Sequence, residues 1–274
     1  MQKDSLNYQE NITNSNIGLL IVGQGTMGKA MIAAALNQAE RVKGLSRNCE
    51  DYDALVRRSQ VIVLTTKQQD GLNWLKQFGR ILDKDQIIVS LMGFVDFKTL
   101  EFSLGRGEVK VARIMTNTSL DRIVWSDDGR FTIKDRQQVE TRLSWLSQEI
   151  EYLGQRNDEA ILKETLRACL LGWVAQDLAS NAEALARVFG YSADKAEAEV
   201  MQMVILLLRQ NSQGRNYQQC FQAVATKGGV TEAGASLIGE ELQNLHQNRL
   251  LKGLEKARTL EEGFYQQAIN AIIN

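Results

Sequence analysis

Two short runs in this chain carry residue types and spacings suited to chemistry. The first is Gly23-Gln24-Gly25-Thr26-Met27-Gly28. It follows the apolar run Ile17 to Val22 and precedes Lys29 to Leu36, where Ala and Met recur at helical spacing. That is a strand, a tight turn and a helix. In such a turn the first glycine makes the bend, the second lets backbone approach a pyrophosphate, and the third lets helix pack on strand. The N–H groups of the first helical turn then point at the phosphates. The spacing predicts a dinucleotide held by Gly23, Gln24, Gly25, Thr26, Met27 and Gly28. The second run is Thr226-Lys227-Gly228-Gly229-Val230-Thr231. Two glycines before a helix start leave N–H groups for a carboxylate, and Thr231 adds a hydroxyl there. The same residues read equally well as a helix-helix loop with Thr231 as N-cap.

The elements that must position the first run are short β-rich segments separated by amphipathic ones. Arg41–Leu45, Val61–Leu64, Ile87–Val89 and Val109–Ile114 read as strands, with Gly71–Ile81 as a helix between two of them. This alternation predicts βα units and a parallel sheet. Ligands of such sheets bind beyond the strand C-termini. The polar clusters Thr65-Thr66-Lys67 and Thr116-Asn117-Thr118 are therefore expected on the cofactor side. About twenty positions past the glycines, NAD-binding versions carry an acid for the ribose hydroxyls. Here Ser46 and Arg47 stand instead, and a hydroxyl with a guanidinium suits a 2′-phosphate, so NADP(H) is expected over NAD(H). Ile123–Ser126 and Phe131–Ile133 read as further strands around Asp127-Asp128-Gly129. Asp135–Leu153 reads as a helix stopped at Gly154.

Past Gly154 the β character disappears. Asn157 or Asp158 can cap a helix carrying Leu162, Leu166, Leu170, Trp173, Val174 and Leu178. Ser192 can cap the next, with Val200, Met203, Val204, Leu207 and Leu208. A shorter helix covers Tyr217–Val224, and long ones run through Leu245 and from Arg249 to Ile273. The run Val204-Ile205-Leu206-Leu207-Leu208 is apolar all round, which asks for burial on more than one side. A twin chain in a homodimer, or in a higher oligomer of dimers, supplies it. The expected organisation is α/β: a flexible tail (1–16), an N-terminal Rossmann-type parallel-sheet domain (17–155), and an all-helical dimerisation and substrate domain (156–274).

Composition narrows the partners. The 274 residues hold 32 Lys and Arg against 33 Asp and Glu, so no basic field awaits nucleic acid or an acidic membrane, and a small molecule is the expected partner. Cys49, Cys169 and Cys220 lack any Cys-x-x-Cys spacing, which argues against a disulfide framework and a zinc site; no metal is expected. The polar start and the lack of long apolar runs predict a cytoplasmic protein. The lone His246 lies on a helix, which disfavours acid–base schemes that need histidine. Proline is absent altogether, where average usage would give roughly fourteen.

These residues resemble the pyrroline-5-carboxylate reductase family. The likeness spans about Ile17 to Phe264. It rests on Ile21 to Ala30 in the cofactor turn, Thr66-Lys67-Gln68-Gln69 where the family has Val-Lys-Pro-Gln, Met115-Thr116-Asn117-Thr118, and Thr226 to Thr231 where it has Ser-Pro-Gly-Gly-Thr-Thr. The resemblance implies reduction of 1-pyrroline-5-carboxylate to L-proline by hydride from NADPH. It implies that Thr231 hydrogen-bonds near the imine nitrogen and that Thr226, Gly228, Gly229 and Val230 hold the carboxylate. Thr65, Lys67 and Asn117 would border the cofactor, with Ser46 and Arg47 at the 2′-phosphate. An enzyme that makes proline would gain from translation without prolyl-tRNA, which suits a proline-free chain; engineering gives the same sequence. The chain departs from the family at Gly172 to Asp177, where the family has a Gly-Ser-Gly-Pro-Ala-Tyr type stretch lining the substrate site. Trp173 replaces a small residue and Asp177 an aromatic one. Asp177 reads as a substrate-site proton donor if buried, or as an exposed helical acid. The alternatives are a related reductase of another cyclic imine or keto acid, and a non-catalytic NADP(H)-binding dimer.

Overall fold

The computed structural model describes residues 17–35, 41–45, 52–105, 107–212, 214–224 and 230–273, without the side chains of 171, 217, 221, 223, 224, 230–243, 246 and 271–273. Strands and helices alternate through the first half: β1 (Ile17–Val22), α1 (Thr26–Ala34), β2 (Val42–Leu45), α2 (Tyr52–Arg58), β3 (Ser59–Leu64), α3 (Gln68–Phe78), β4 (Ile87–Ser90), α4 (Phe97–Leu104), β5 (Lys110–Thr116), β6 (Arg122–Asp127), α5 (Ile133–Leu143) and β7 (Glu149–Gln155). The strands form one sheet of order β2-β1-β3-β4-β5-β6-β7. Neighbours pair in parallel throughout except β5 with β6. Strand order reverses at β1, which places a topological switch point between β1 and β3.

The central strands are buried on both faces, which explains why they read as continuous apolar runs. Leu20, Val22, Ile62, Leu64 and Ile88 join the core beneath α2, α3 and α4. Leu19, Ile21, Val61, Val63 and Val89 join the core that takes in Met31 of α1 and Val139 and Leu143 of α5. This is the parallel-sheet domain expected, with two local corrections. Phe131–Ile133 is not a strand: Thr132 caps α5, its hydroxyl accepting from Asp135 N at 3.2 Å while Asp135 Oδ2 accepts from Thr132 N at 2.8 Å. The helix over Asp135–Leu153 stops at Leu143, and Glu149–Gln155 is instead a strand in register with β6, Trp125 opposite Tyr152. Val139, Leu143 and Leu146 carry helical spacing past the true end of α5, which hid the short Ile150/Tyr152 alternation. Gly154, read as a helix stop, lies within β7 at φ +99° beside a register shift in the β6–β7 ladder.

Among the described residues four helices follow: α6 (Asp158–Phe189), α7 (Ala193–Ser212), α8 (Tyr217–Val224) and α9 (Val230–Ile273). Asn157 Oδ1 accepts from Ala160 N at 3.1 Å and starts α6; the two long helices expected at the end are one. The chain divides into two compact units. One runs to Thr165 and takes in the segment from Lys256 onward, and the other is Leu166–Glu255. The sheet unit therefore reclaims the end of α9: Tyr265 meets Phe102 of α4 edge-on at 5.9 Å, and Phe264 packs on the core under α4. In the second unit Ala182, Ala196 and Val200 form a small core between α6 and α7. Among the described residues no helix is long and apolar enough to cross a membrane.

Candidate functional site

The β1–α1 turn is built as the glycine spacing requires. Gly23 sits at φ +102°, a conformation only glycine adopts without strain. A Cβ on Gly28 would fall 1.8 Å from the Gly23 carbonyl oxygen, so helix and turn meet at a distance that admits no side chain. A Cβ on Gly25 would meet no atom within 4 Å, so the bare face of Gly25 looks into open space. No side chain caps α1, and none caps α3, which starts two strands away in sequence but beside β1 in the sheet. Two uncapped helix N-termini thus flank the switch point, each with N–H groups and a positive dipole end to offer an anion.

Between them opens a cleft of about 970 Å³, lined by Val22 to Gly25, Leu45, the loop Thr65-Thr66-Lys67, and residues of α2 and α3. Of the residues expected to touch cofactor, Gly23, Gln24, Gly25, Thr65 and Lys67 line it, and Thr26, Met27 and Gly28 follow as the first turn of α1. The Thr65 hydroxyl is directed at the turn itself, 3.0 Å from Val22 O and 2.9 Å from Gly23 O. Thr66 Oγ1 is buried on the cleft wall with no hydrogen-bond partner among the described residues. The open space at Gly25 and the paired helix ends fit a dinucleotide diphosphate. Ser46 and Arg47 lie outside the described residues. Asn117 is not among the residues lining this cleft; its amide closes the β5–β6 turn, donating to Asp121 Oδ2 at 3.2 Å.

Sequence reasoning missed the far wall. Tyr52 and Asp53 from α2, with Asp70, Asn73, Trp74, Gln77 and Phe78 from α3, complete the cleft. The spacing of Asp70, Trp74 and Phe78, and of Asn73 and Gln77, marks one face of α3, but that spacing reads as a core stripe until Tyr52 is seen across it.

In the helical unit, Asp177 is half-buried on α6, and both its oxygens accept from Arg249 Nη1 of α9, at 2.7 and 3.0 Å. One turn away, the Trp173 ring lies over Gly253, whose Cβ would be 3.0 Å from it. The bulk of Trp173 is thus received by a glycine of α9. Thr226, Gly228 and Gly229 lie outside the described residues. Val230 and Thr231 open α9, with side chains outside them too.

A second charged cluster went unread in the sequence. Arg113, 1% exposed on β5, pairs through Nη1 with Asp158 at the start of α6, while its Nε and Nη2 have no hydrogen-bond partner among the described residues. Glu261 of α9 feels the charges of the same cluster, and its buried Oε1 has no hydrogen-bond partner among the described residues. Burial pushes both the Asp158 and the Glu261 carboxyls up, against the pull of Arg113.

No protein-family model matches the chain, and no curated protein sequence does. Solved structures do. Plasmodium falciparum pyrroline carboxylate reductase with NADP bound is similar at TM-score 0.73 and 18% identity, over 90% of this chain and 99% of that one. The 1-pyrroline-5-carboxylate reductase of Streptococcus pyogenes is similar at 0.71 and 17%, over 88% and 98%. An imine reductase from Aspergillus terreus in complex with NADPH4 and dibenz[c,e]azepine is similar at 0.53 and 17%, over 89% and 95%. At these identities the likeness shows the fold: a Rossmann-type sheet followed by long helices.

Proposed function

We propose that this chain is an NADPH-dependent reductase of a cyclic imine, and that the imine is 1-pyrroline-5-carboxylate, reduced to L-proline. The observation that carries the reading is the cleft at the β1/β3 switch point, with its close Gly23–Gly28 approach, open Gly25 face and two uncapped helix ends. Similar solved structures that span nearly the whole chain, one of them with NADP bound, support it. The motif at Thr226 to Thr231 supports the substrate.

When bound, NADPH supplies hydride to the C=N carbon. The chain's own part is placement and charge. The Gly23–Thr26 backbone and the α1 and α3 N-termini hold the diphosphate, with Lys67 beside it. Ser46 and Arg47 face the 2′-phosphate and set the preference for NADP(H). Backbone N–H groups from Gly228 to Thr231 hold the substrate carboxylate, and the Thr231 hydroxyl bonds the imine nitrogen. Asn117 borders the nicotinamide. Asp177, with both oxygens accepting from Arg249, serves as a positioning residue on the substrate side.

The protein works as a homodimer in this reading. Ile205, Leu206, Leu207 and Leu208 are 39–56% exposed in the single chain. A groove of about 450 Å³ between α6 and α7 is lined by Leu178, Leu185, Val188, Met203, Val204 and Leu207. Apolar surface of this extent asks for a partner, and a second copy covers it with the same surface.

A second reading, a reductase of a different imine or keto acid, is favoured by Trp173 and Asp177 in the stretch expected to border substrate. One assay separates the two. NADPH absorbance is followed with pyrroline-5-carboxylate for the wild type and Thr231→Ala. Turnover that falls about 100-fold in the variant, the range for one positioned hydroxyl, supports the first reading. NADPH binding without turnover overturns it, and turnover of another cyclic imine installs the second.

A further inference from the structure

Three non-glycine residues among the described ones stand at positive φ: Phe94 at +61°, Leu120 at +55° and Arg156 at +46°. Two of them are answered by their side chains. Leu120 is buried in the core that takes in Val139 and Leu143 of α5. Arg156 donates to Glu101 Oε1 at 2.9 Å and to Asp128 O at 3.2 Å. Phe94 has no such return. Its half-buried ring joins none of the apolar cores and stacks on no other ring among the described residues. A bulky side chain at this φ is a backbone outlier, and such strain persists where the surroundings impose it, typically beside a bound ligand.

The surroundings impose it from both sides. Before Phe94, Gln68 Nε2 at the start of α3 donates to Gly93 O at 3.0 Å, and a Cβ on Gly93 would stand 2.9 Å from Thr165 Cγ2 of α6. After it, Val95 is fully buried, and Asp96 Oδ1 accepts from Thr99 N at 2.8 Å to start α4. The place matters as much as the strain. β3 and β4 run parallel, so the loop after β4 leaves the sheet at the same edge as Thr65-Thr66-Lys67, which lines the cleft. Gln68 follows Lys67 directly and ties the two loops together. Leu45 of β2 lines the cleft as well, and the strand order runs β2-β1-β3-β4. With the phosphorylated adenosine half of the cofactor toward β2, the hydride-bearing half passes β3 and ends at the loop after β4.

We propose that Phe94 is a specificity-determining residue of the reductase: its ring is an apolar wall for the methylene edge of the cyclic imine, and Gln68 is the positioning residue that holds it there. The inference rests on the reductase reading and adds the residue that gauges the substrate ring. A pyrroline carboxylate carries its polarity on the carboxylate and the imine nitrogen. The rest of the ring is CH2, and burial of that edge against an aromatic face favours binding. A wall whose backbone is pinned on both sides does not give way, so it disfavours a ring one methylene larger.

The test assays the full-length protein with NADPH and two imines that differ by one methylene, 1-pyrroline-5-carboxylate and its six-membered homologue 1-piperideine-6-carboxylate. Wild type is compared with Phe94→Asn and Gln68→Leu. Asparagine takes positive φ readily, so Phe94→Asn removes the ring without adding strain. In Phe94→Asn the ratio of kcat/KM for the five-membered over the six-membered imine is expected to fall about tenfold, the scale of one methylene in a pocket. Gln68→Leu is expected to move the ratio the same way by less, and the Kd for NADPH to stay unchanged in both. The melting temperature of Phe94→Asn is expected within about two degrees of the wild type, because relieved strain offsets the lost contacts. An unchanged ratio in Phe94→Asn overturns the proposal, since a merely structural change slows both imines alike. A larger fall in melting temperature makes the ring core packing, and a weaker Kd for NADPH puts it against the cofactor; either overturns it. An unshifted ratio in Gln68→Leu overturns the positioning role alone. The reductase reading fails on a separate outcome, a wild type that binds NADPH and turns over neither imine, and takes this inference with it.

Discussion

Arg249 Nη1 lies 2.7 Å from Oδ1 and 3.0 Å from Oδ2 of Asp177, one helical turn from the point where Trp173 covers Gly253. The two contacts fix an antiparallel register between α6 and α9: a step of four residues up one helix is a step of four down the other. The two departures from the family pattern, Trp173 and Asp177, are therefore matched by Gly253 and Arg249 on the facing helix. They are repacked as a pair of contacts.

The strength of that ion pair tests the dimer. In the single chain the two side chains are 29% and 35% exposed, and pairs this open couple by about 0.2–1 kcal/mol. A double-mutant cycle of Asp177→Ala and Arg249→Ala, read by urea denaturation, is expected in that range if solvent reaches the pair. Single-variant losses of about 3–5 kcal/mol are the mark of a desolvated pair, and would mean that a second copy closes over α6 and α9.

The glycine turn gives a prediction that separates fold from site. Gly28→Ala places a methyl 1.8 Å from the Gly23 oxygen, and Gly25→Ala places one where no protein atom lies within 4 Å. Gly28→Ala is expected to lower thermal stability by several degrees and to abolish NADPH binding, because backbone must move. Gly25→Ala is expected to melt within about a degree of the wild type, since its surface methyl strains nothing, and still to bind NADPH at least tenfold more weakly. Calorimetry with a fluorescence titration checks both. Normal NADPH affinity in Gly25→Ala would mean that the diphosphate lies elsewhere.

This turn was legible because its geometry is local: Gly23, Gly25 and Gly28 act within six residues, and the flanking apolar run and helix announce themselves. What stayed hidden is assembled over distance. Tyr52 and Trp74 are 22 positions apart and meet only because β3 places α2 and α3 side by side. Arg113 sits in a strand whose neighbours are apolar, and nothing near it in sequence foretells Asp158 or Glu261. β7 was lost for another reason: Val139, Leu143 and Leu146 extend a helical rhythm through a turn, and an edge strand with polar alternate residues carries too few apolar positions to outweigh it.

The Arg113 cluster sets a pH dependence whose sign follows from burial. Glu261, on the part of α9 that belongs to the sheet unit, carries a buried Oε1 with no hydrogen-bond partner among the described residues. The charged groups around it are Arg113 on β5, Asp96 before α4, Asp158 on α6 and Arg258 on α9 itself. Burial raises its carboxyl above the ordinary 4.5, with Asp96 and Asp158 adding to the rise and the two arginines opposing it. The folded protein therefore binds this proton more tightly than the unfolded chain does. The stabilisation is fully present below about pH 4.5 and is lost as pH rises through the folded value. Asp158 acts in the same direction from its ordinary 3.8. Glu261→Gln keeps the shape and removes the titration, so its melting temperature is expected to fall less than that of the wild type between about pH 4.5 and neutrality. Hydrogen exchange over residues 256–273 is expected to show the same difference, with the wild type exchanging faster at neutral pH than Glu261→Gln. Parallel pH profiles for the two proteins would mean that Glu261 keeps its charge in the fold, held by Arg113, and that the rise belongs to Asp158 alone.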